Sequence, residues 1–144
     1  MSEYTLAMLK PDAFESRVVG DVLATVESEG FRIVEMRLVY LTRDRAGAFY
    51  AEHVNRPFFK PLVDFMSSGP VLPMVLARTA AITHWRALLG ATDSRQAAAN
   101  TLRGRHGSKT ADIWRNVAHG SDSAASALRE IQFFFPGLRM PGVR

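Results

Sequence analysis

The sequence predicts an α+β sandwich: a four-stranded antiparallel sheet with helices packed on it, in the ferredoxin-like βαββαβ order. Short apolar runs alternate along the chain with stripes at helical spacing, and glycine or proline punctuates most changes of period. The length and composition agree. With 144 residues, 47% apolar and 22% charged, the chain can bury a core of its own and reads as one domain over residues 1–144.

Tyr4 to Lys10 is a short, largely apolar strand that Pro11 stops. Val19, Val22, Leu23 and Val26 follow at helical spacing, and Gly30 supplies the stop. Arg32 to Leu41 reads as a strand, with Val34, Met36, Leu38 and Tyr40 on one face and Glu35 and Arg37 on the other. Thr42 can cap a helix striped by Ala46, Phe49, Tyr50 and His53. After the break at Asn55-Arg56-Pro57, a short helix carries Leu62, Phe65 and Met66 behind Phe58 or Phe59, with Pro61 an oddity inside it. A turn at 67–70 leads to the apolar run Val71 to Leu76. Pro73 within it lacks a ladder donor and argues for a bulge or an edge. Ala81, Trp85, Leu88 and Leu89 mark a helix ended by Gly90, and a long polar loop runs from Ala91 to about Thr110. A turn near Ile113, a last short strand around Val117, and a helix striped by Ala124, Ala127, Leu128, Ile131 and Phe135 complete the chain.

Several function classes fall away. The chain has no cysteine, which excludes a disulfide framework and a thiolate metal site and fits a reducing cytoplasm. Neither a signal peptide nor a membrane-length apolar window is present. The net charge of +4 suits an anionic ligand, but the basic residues form no run, so a nucleic-acid tail is not indicated. Gly104-Arg105-His106-Gly107-Ser108-Lys109-Thr110 imitates the end of a Walker A motif, yet a serine separates glycine from lysine and no strand feeds the loop. His53, His84, His106 and His119 lack zinc-ligand spacing.

The stretch Asn116-Val117-Ala118-His119-Gly120-Ser121-Asp122-Ser123 is richer. Gly120 permits backbone conformations closed to other residues, and Ser121, Asp122 and Ser123 are N-cap candidates for a helix whose free N–H groups favour anions. Glu130 lies one face along that helix and can reach back to one ring nitrogen of His119, leaving the other as a nucleophile. A plain loop histidine with a solvated glutamate remains the other reading. Lys10, Arg86, Arg103 and Arg115 are as ambiguous singly as any surface cation, and Tyr50 and Phe58 default to the core.

Taken together, these pieces resemble the nucleoside diphosphate kinase family. Residues 4–13 look like its opening strand and lysine-proline-aspartate motif, and Tyr50-Ala51-Glu52-His53 with Arg56-Pro57-Phe58-Phe59 looks like its nucleotide-clamping hairpin. Ser68 to Val71, Leu89 to Thr92 and Thr101 to Gly104 follow in the family's order, and Arg115 to Ser123 is similar to its active-histidine signature. The resemblance spans residues 4 to 135. It implies that His119 takes the terminal phosphate of ATP or another nucleoside triphosphate and passes it to a nucleoside diphosphate in a ping-pong mechanism. By the same resemblance Glu130 and Ser121 orient the ring, and Tyr50 lies near Lys10 and the phosphates. Lys10, Arg86, Thr92, Arg103 and Asn116 bind phosphates, Lys10 and Asn116 also reach the ribose, and Phe58 stacks on the base with Ile113 as its apolar cover. Mg²⁺ is implied as a cofactor held mainly by nucleotide phosphates rather than by a protein ligand set, and a cytoplasmic homo-oligomer, hexamer or tetramer, is implied as the assembly.

The chain departs from that pattern in places. Between Arg103 and Asn116 it is a few residues longer than usual, with Arg105 in place of an aspartate and Trp114 in place of a glycine. The loop from Thr92 to Thr101, which in the family contributes to subunit contacts, lacks the usual prolines. Two rival readings follow: a family-like nucleotide-binding or regulatory protein of low activity, and a basic nucleic-acid module, against which the unclustered charge weighs.

Overall fold

A computed structural model describes residues 2–141. Four strands, β1 (Glu3–Leu9), β2 (Arg32–Met36), β3 (Leu72–Arg78) and β4 (Ala118–Gly120), form one sheet in the order β2-β3-β1-β4, every neighbouring pair antiparallel. The helices are α1 (Pro11–Glu15), α2 (Val19–Ser28), α3 (Arg43–Phe49), α4 (Phe59–Met66), α5 (Ala81–Leu89), α6 (Leu102–His106) and α7 (Ala124–Phe134). This is the predicted ferredoxin-like α+β sandwich with a helical hairpin inserted between β2 and β3.

The inner strands β1 and β3 are apolar at nearly every position because both of their faces are covered. Leu6, Met8 and Val75 face a core with Phe49, Phe65, Met66, Ile131 and Phe134 from α3, α4 and α7. Leu9, Met74 and Leu76 face a second core with Val22, Val26, Trp85 and Leu89 from α2 and α5. No helix among the described residues is long and apolar enough to cross a membrane.

Pro73 corrects the sequence reading, for it lies on an inner strand, paired with Met8 on β1. Its carbonyl accepts from the Arg37 N–H at 3.2 Å, so its missing donor faces β2, one residue beyond the end of that strand. This is why the strand read as Arg32–Leu41 stops at Met36 and resumes only as the Val39–Val71 bridge. The bulge falls on β2 instead, between Ile33 and Glu35. It breaks the period-2 pattern, and the apolar stripe Met36, Leu38 and Tyr40 is left exposed on the sheet edge (47%, 55% and 71%).

Other differences are of scale. Pro11 does not merely stop β1; it opens the short helix α1, where its missing N–H is no loss. Pro61 is the third residue of α4, where helical N–H groups lack partners anyway. His53 falls in a separate 3-10 turn, Ala51–His53, after α3 ends. The polar loop after Gly90 hides α6, capped by Thr101, whose hydroxyl accepts from the Gly104 N–H. A Cβ at Gly104 would lie 1.9 Å from the Ala98 carbonyl oxygen, so only glycine lets this turn pack against the loop before it. Phe135 caps α7 rather than extending it.

Candidate active site

His119 sits in the middle of β4, opposite Met8, and not on a glycine turn. Its carbonyl accepts from the Trp85 indole N–H at 3.1 Å, and the edge of its ring meets Phe49 with centroids 5.3 Å apart. Gly120 has a different purpose from the predicted one. Its φ is not positive; rather, a Cβ there would stand 2.7 Å from Trp85 Cδ1, so glycine is required for the close seat of the indole behind the histidine.

The predicted reach of Glu130 is present. Its Oε1 lies 2.8 Å from His119 Nε2 and also accepts from the Ser121 hydroxyl at 2.8 Å. Ser121 is fully buried, and its hydroxyl oxygen in turn accepts from the Leu6 N–H, which ties the pair to β1. Glu130 is 4% exposed. With Nε2 donating to the carboxylate, the lone pair of a neutral ring resides on Nδ1. Ser123 is the residue that caps α7, accepting from the Ser126 N–H.

Upstream of the histidine the backbone makes a tight γ-turn. The Ala118 N–H donates to the Asn116 carbonyl across Val117, whose φ is +80°. A β-branched residue there is strained, and several groups hold it in place. Asp12 Oδ2 accepts from the Val117 N–H at 2.9 Å, and the Val117 carbonyl accepts from the Lys10 N–H. Arg103 spends three donors on the carbonyls of Asn116, Ala118 and Gly90. Arg103 therefore braces the turn, with two of its five N–H groups left over. The aspartate and Trp85 were in view in the sequence, but nothing there told that the first braces this turn and the second the strand that follows it.

Lys10 Nζ donates to Asn116 Oδ1 at 2.8 Å and to the Trp114 carbonyl at 3.3 Å, and Asn116 Nδ2 donates to the Thr92 carbonyl. Burial, with Arg103 nearby and Asp12 opposing, pulls the Lys10 ammonium down to about 7. Burial, with Arg86 beside it, brings Arg103 down to about 10. The buried Tyr50 hydroxyl has no partner among the described residues, and burial and the Glu130 charge push its ionisation up.

These groups surround one cavity of about 430 Å³. Every predicted site residue lines it except Ser121, which lies beneath the histidine: Lys10, Tyr50, Arg86, Thr92, Arg103 and Asn116 surround His119 and Glu130, and Phe58 and Ile113 also contribute. Leu89, Gly90, Glu52, His53, Trp114 and Asp122 are among the lining residues that sequence reasoning did not assign. Among the described residues no three acidic, cysteine or histidine groups converge as a metal cluster.

A histidine with one nitrogen held by a buried carboxylate, facing a cavity ringed by cations, defines an α+β protein built to handle phosphate-bearing ligands. The family model for nucleoside diphosphate kinase matches residues 3–140. A nucleoside diphosphate kinase of Sorangium cellulosum is 47% identical over 94% of this chain and 92% of its own length. One from Desulfovibrio desulfuricans is 44% identical over 97% and 99%. The crystal structure of the Aquifex aeolicus nucleoside diphosphate kinase superposes with a TM-score of 0.90 at 43% identity, covering 97% of this chain and 99% of that one. A halophilic nucleoside diphosphate kinase from Halobacterium salinarum in complex with CDP gives 0.89 at 38%, covering 94% and 89%. The chain belongs to the nucleoside diphosphate kinase family, enzymes of phosphoryl transfer between nucleotides.

Proposed function

We propose that this protein transfers the terminal phosphate of a nucleoside triphosphate, typically ATP, to a nucleoside diphosphate through a phosphohistidine at His119. The observation that carries the reading is the Glu130–His119 pair, which holds Nε2 and leaves Nδ1 with its lone pair beside the cationic cavity. Nδ1 attacks the γ-phosphorus; the N–P bond forms as the bond to the β,γ-bridging oxygen breaks, and the nucleoside diphosphate leaves with that electron pair. In the second half, a β-phosphate oxygen of the acceptor diphosphate attacks the same phosphorus and returns the electron pair to Nδ1. Lys10, Arg86 and Arg103 neutralise charge developing on the transferring group, and the unpartnered Tyr50 hydroxyl donates toward the phosphates. Thr92 and Asn116 position the phosphates, Lys10 and Asn116 the ribose, and Phe58 stacks on the base with Ile113 across from it.

When bound with the nucleotide, Mg²⁺ would supply charge neutralisation at the phosphates. Glu52 and Asp122, the cavity's carboxylates besides Glu130, are the groups of this chain that would meet it. The bare apolar edge of β2 supports a homo-oligomer, since an exposed strand edge with large apolar side chains calls for a partner surface. The same reading makes the protein cytoplasmic. Initial rates measured with both nucleotides varied test it: a ping-pong enzyme gives parallel double-reciprocal lines, and intersecting lines would rule out the covalent route.

A further inference from the structure

We propose that Trp114 is a specificity-determining residue of this chain, one that tilts the base site from general tolerance toward purines. The inference rests on the nucleotide reading above. A base held only between Phe58 and an aliphatic cover is recognised by one aromatic face, which discriminates little among bases. Here the cover is a pair, Ile113 and Trp114, both lining the cavity that Phe58 also lines. The indole is half-buried and packs against the core that holds Tyr50, Leu62 and Phe65.

Its position is set from several directions. The Trp114 carbonyl accepts from Lys10. Next to it, the Arg115 guanidinium lies over the Phe65 ring at 4.8 Å and reaches Glu15 at 3.5 Å. The lengthened loop that delivers Trp114 is itself fastened. The Ser108 N–H donates to the Arg115 carbonyl, and Lys109 Nζ donates to the carbonyls of Ser94, Arg103 and Gly104, capping the end of α6. His106 and Arg105 both reach Asp21 on α2. An aromatic surface presented by an anchored loop is pre-organised, so its stacking is not offset by ordering the loop on binding. A bicyclic purine overlaps an indole over more area than a pyrimidine does, and stacking grows with that overlap.

The test uses the full-length protein, GDP and CDP as probes, and the variants Trp114→Gly and Trp114→Phe. Trp85 is fully buried, so a purine that touches indole quenches Trp114. The expected result is tighter GDP than CDP binding in the parent protein, with the ratio falling about threefold to tenfold in Trp114→Gly and by less in Trp114→Phe, whose smaller ring keeps part of the overlap. The GDP-dependent quench disappears in both. A GDP-to-CDP ratio unchanged in Trp114→Gly, or an equal loss for both nucleotides, overturns the specificity role and leaves the kinase reading standing. If the parent protein binds neither nucleotide by calorimetry, the nucleotide reading itself fails, and this inference with it.

Discussion

Glu130 Oε1 stands 2.8 Å from His119 Nε2 at a site where the carboxylate is almost wholly buried. The contact is a positioning device: it keeps the proton on Nε2 and holds the ring against rotation between Phe49 and the cavity. Replacing Glu130 with Gln weakens that acceptor and lets the ring rotate. Turnover should fall roughly 10- to 100-fold, the usual effect of removing an orienting partner. The ¹⁵N signals of the imidazole check the cause, because the variant should show a mixture of tautomers where the parent shows one. Parent-like turnover would separate the pair from catalysis.

Lys10 gives the site its pH dependence. The folded protein holds this ammonium with a value of about 7, against an ordinary 10.5. Between those values the unfolded chain carries the proton and the folded one does not, so this group makes the free protein more stable as pH rises through the window. Bound phosphate reverses the burial effect and draws a proton on. Nucleotide affinity should therefore weaken above pH 7, by up to about tenfold per pH unit, with proton uptake on binding. Calorimetry in buffers of different ionisation enthalpy measures the uptake directly. A dissociation constant that stays flat from pH 6 to pH 9 would contradict the assignment.

Asp12 acts on the histidine at one remove, through Val117. In Asp12→Ala the Val117 N–H loses its acceptor in a buried place, costing about 1–3 kcal/mol. The strained γ-turn then relaxes and moves Asn116 and His119 together. Urea denaturation should register the loss in stability, and turnover should drop with it. Asp12→Asn keeps an acceptor oxygen and should recover most of both. If Asp12→Ala matches the parent in both measurements, the turn needs no support from the aspartate.

The exposed stripe on β2 predicts assembly. Leu38→Glu places a charge on that edge without touching the cavity. Sedimentation should show the parent as a multimer and the variant shifted to smaller species. A parent protein that sediments as a monomer would show that this edge has no partner.

Much of this molecule was legible in the sequence because its elements obey simple periods. Val19, Val22 and Val26 announced α2, and the apolar Tyr4–Lys10 run announced a strand. Pro73 and the β2 bulge escaped because they are properties of pairing: what matters is which neighbour the missing N–H faces, and that needs the register. The short helices α1 and α6 escaped because five residues carry too little periodicity to register, even with Thr101 in place to cap. In the site, the family resemblance pointed to the groups around the cavity, whereas the bracing by Asp12, Arg103 and Trp85 depends on backbone carbonyls and amides that side-chain patterns do not reveal. Gly120 was noticed for the wrong reason: it makes room for an indole rather than supplying an unusual φ.

In the proposed reaction the phosphoryl group rests on His119 between two nucleotides. Incubating the protein with γ-labelled ATP and Mg²⁺, removing the nucleotide, and adding GDP tests it most directly. The expected result is a protein-bound label that is acid-labile and alkali-stable, that leaves as labelled GTP when GDP is added, and that is absent from His119→Ala. A label that survives the substitution, or no label from a folded and active protein, would contradict it.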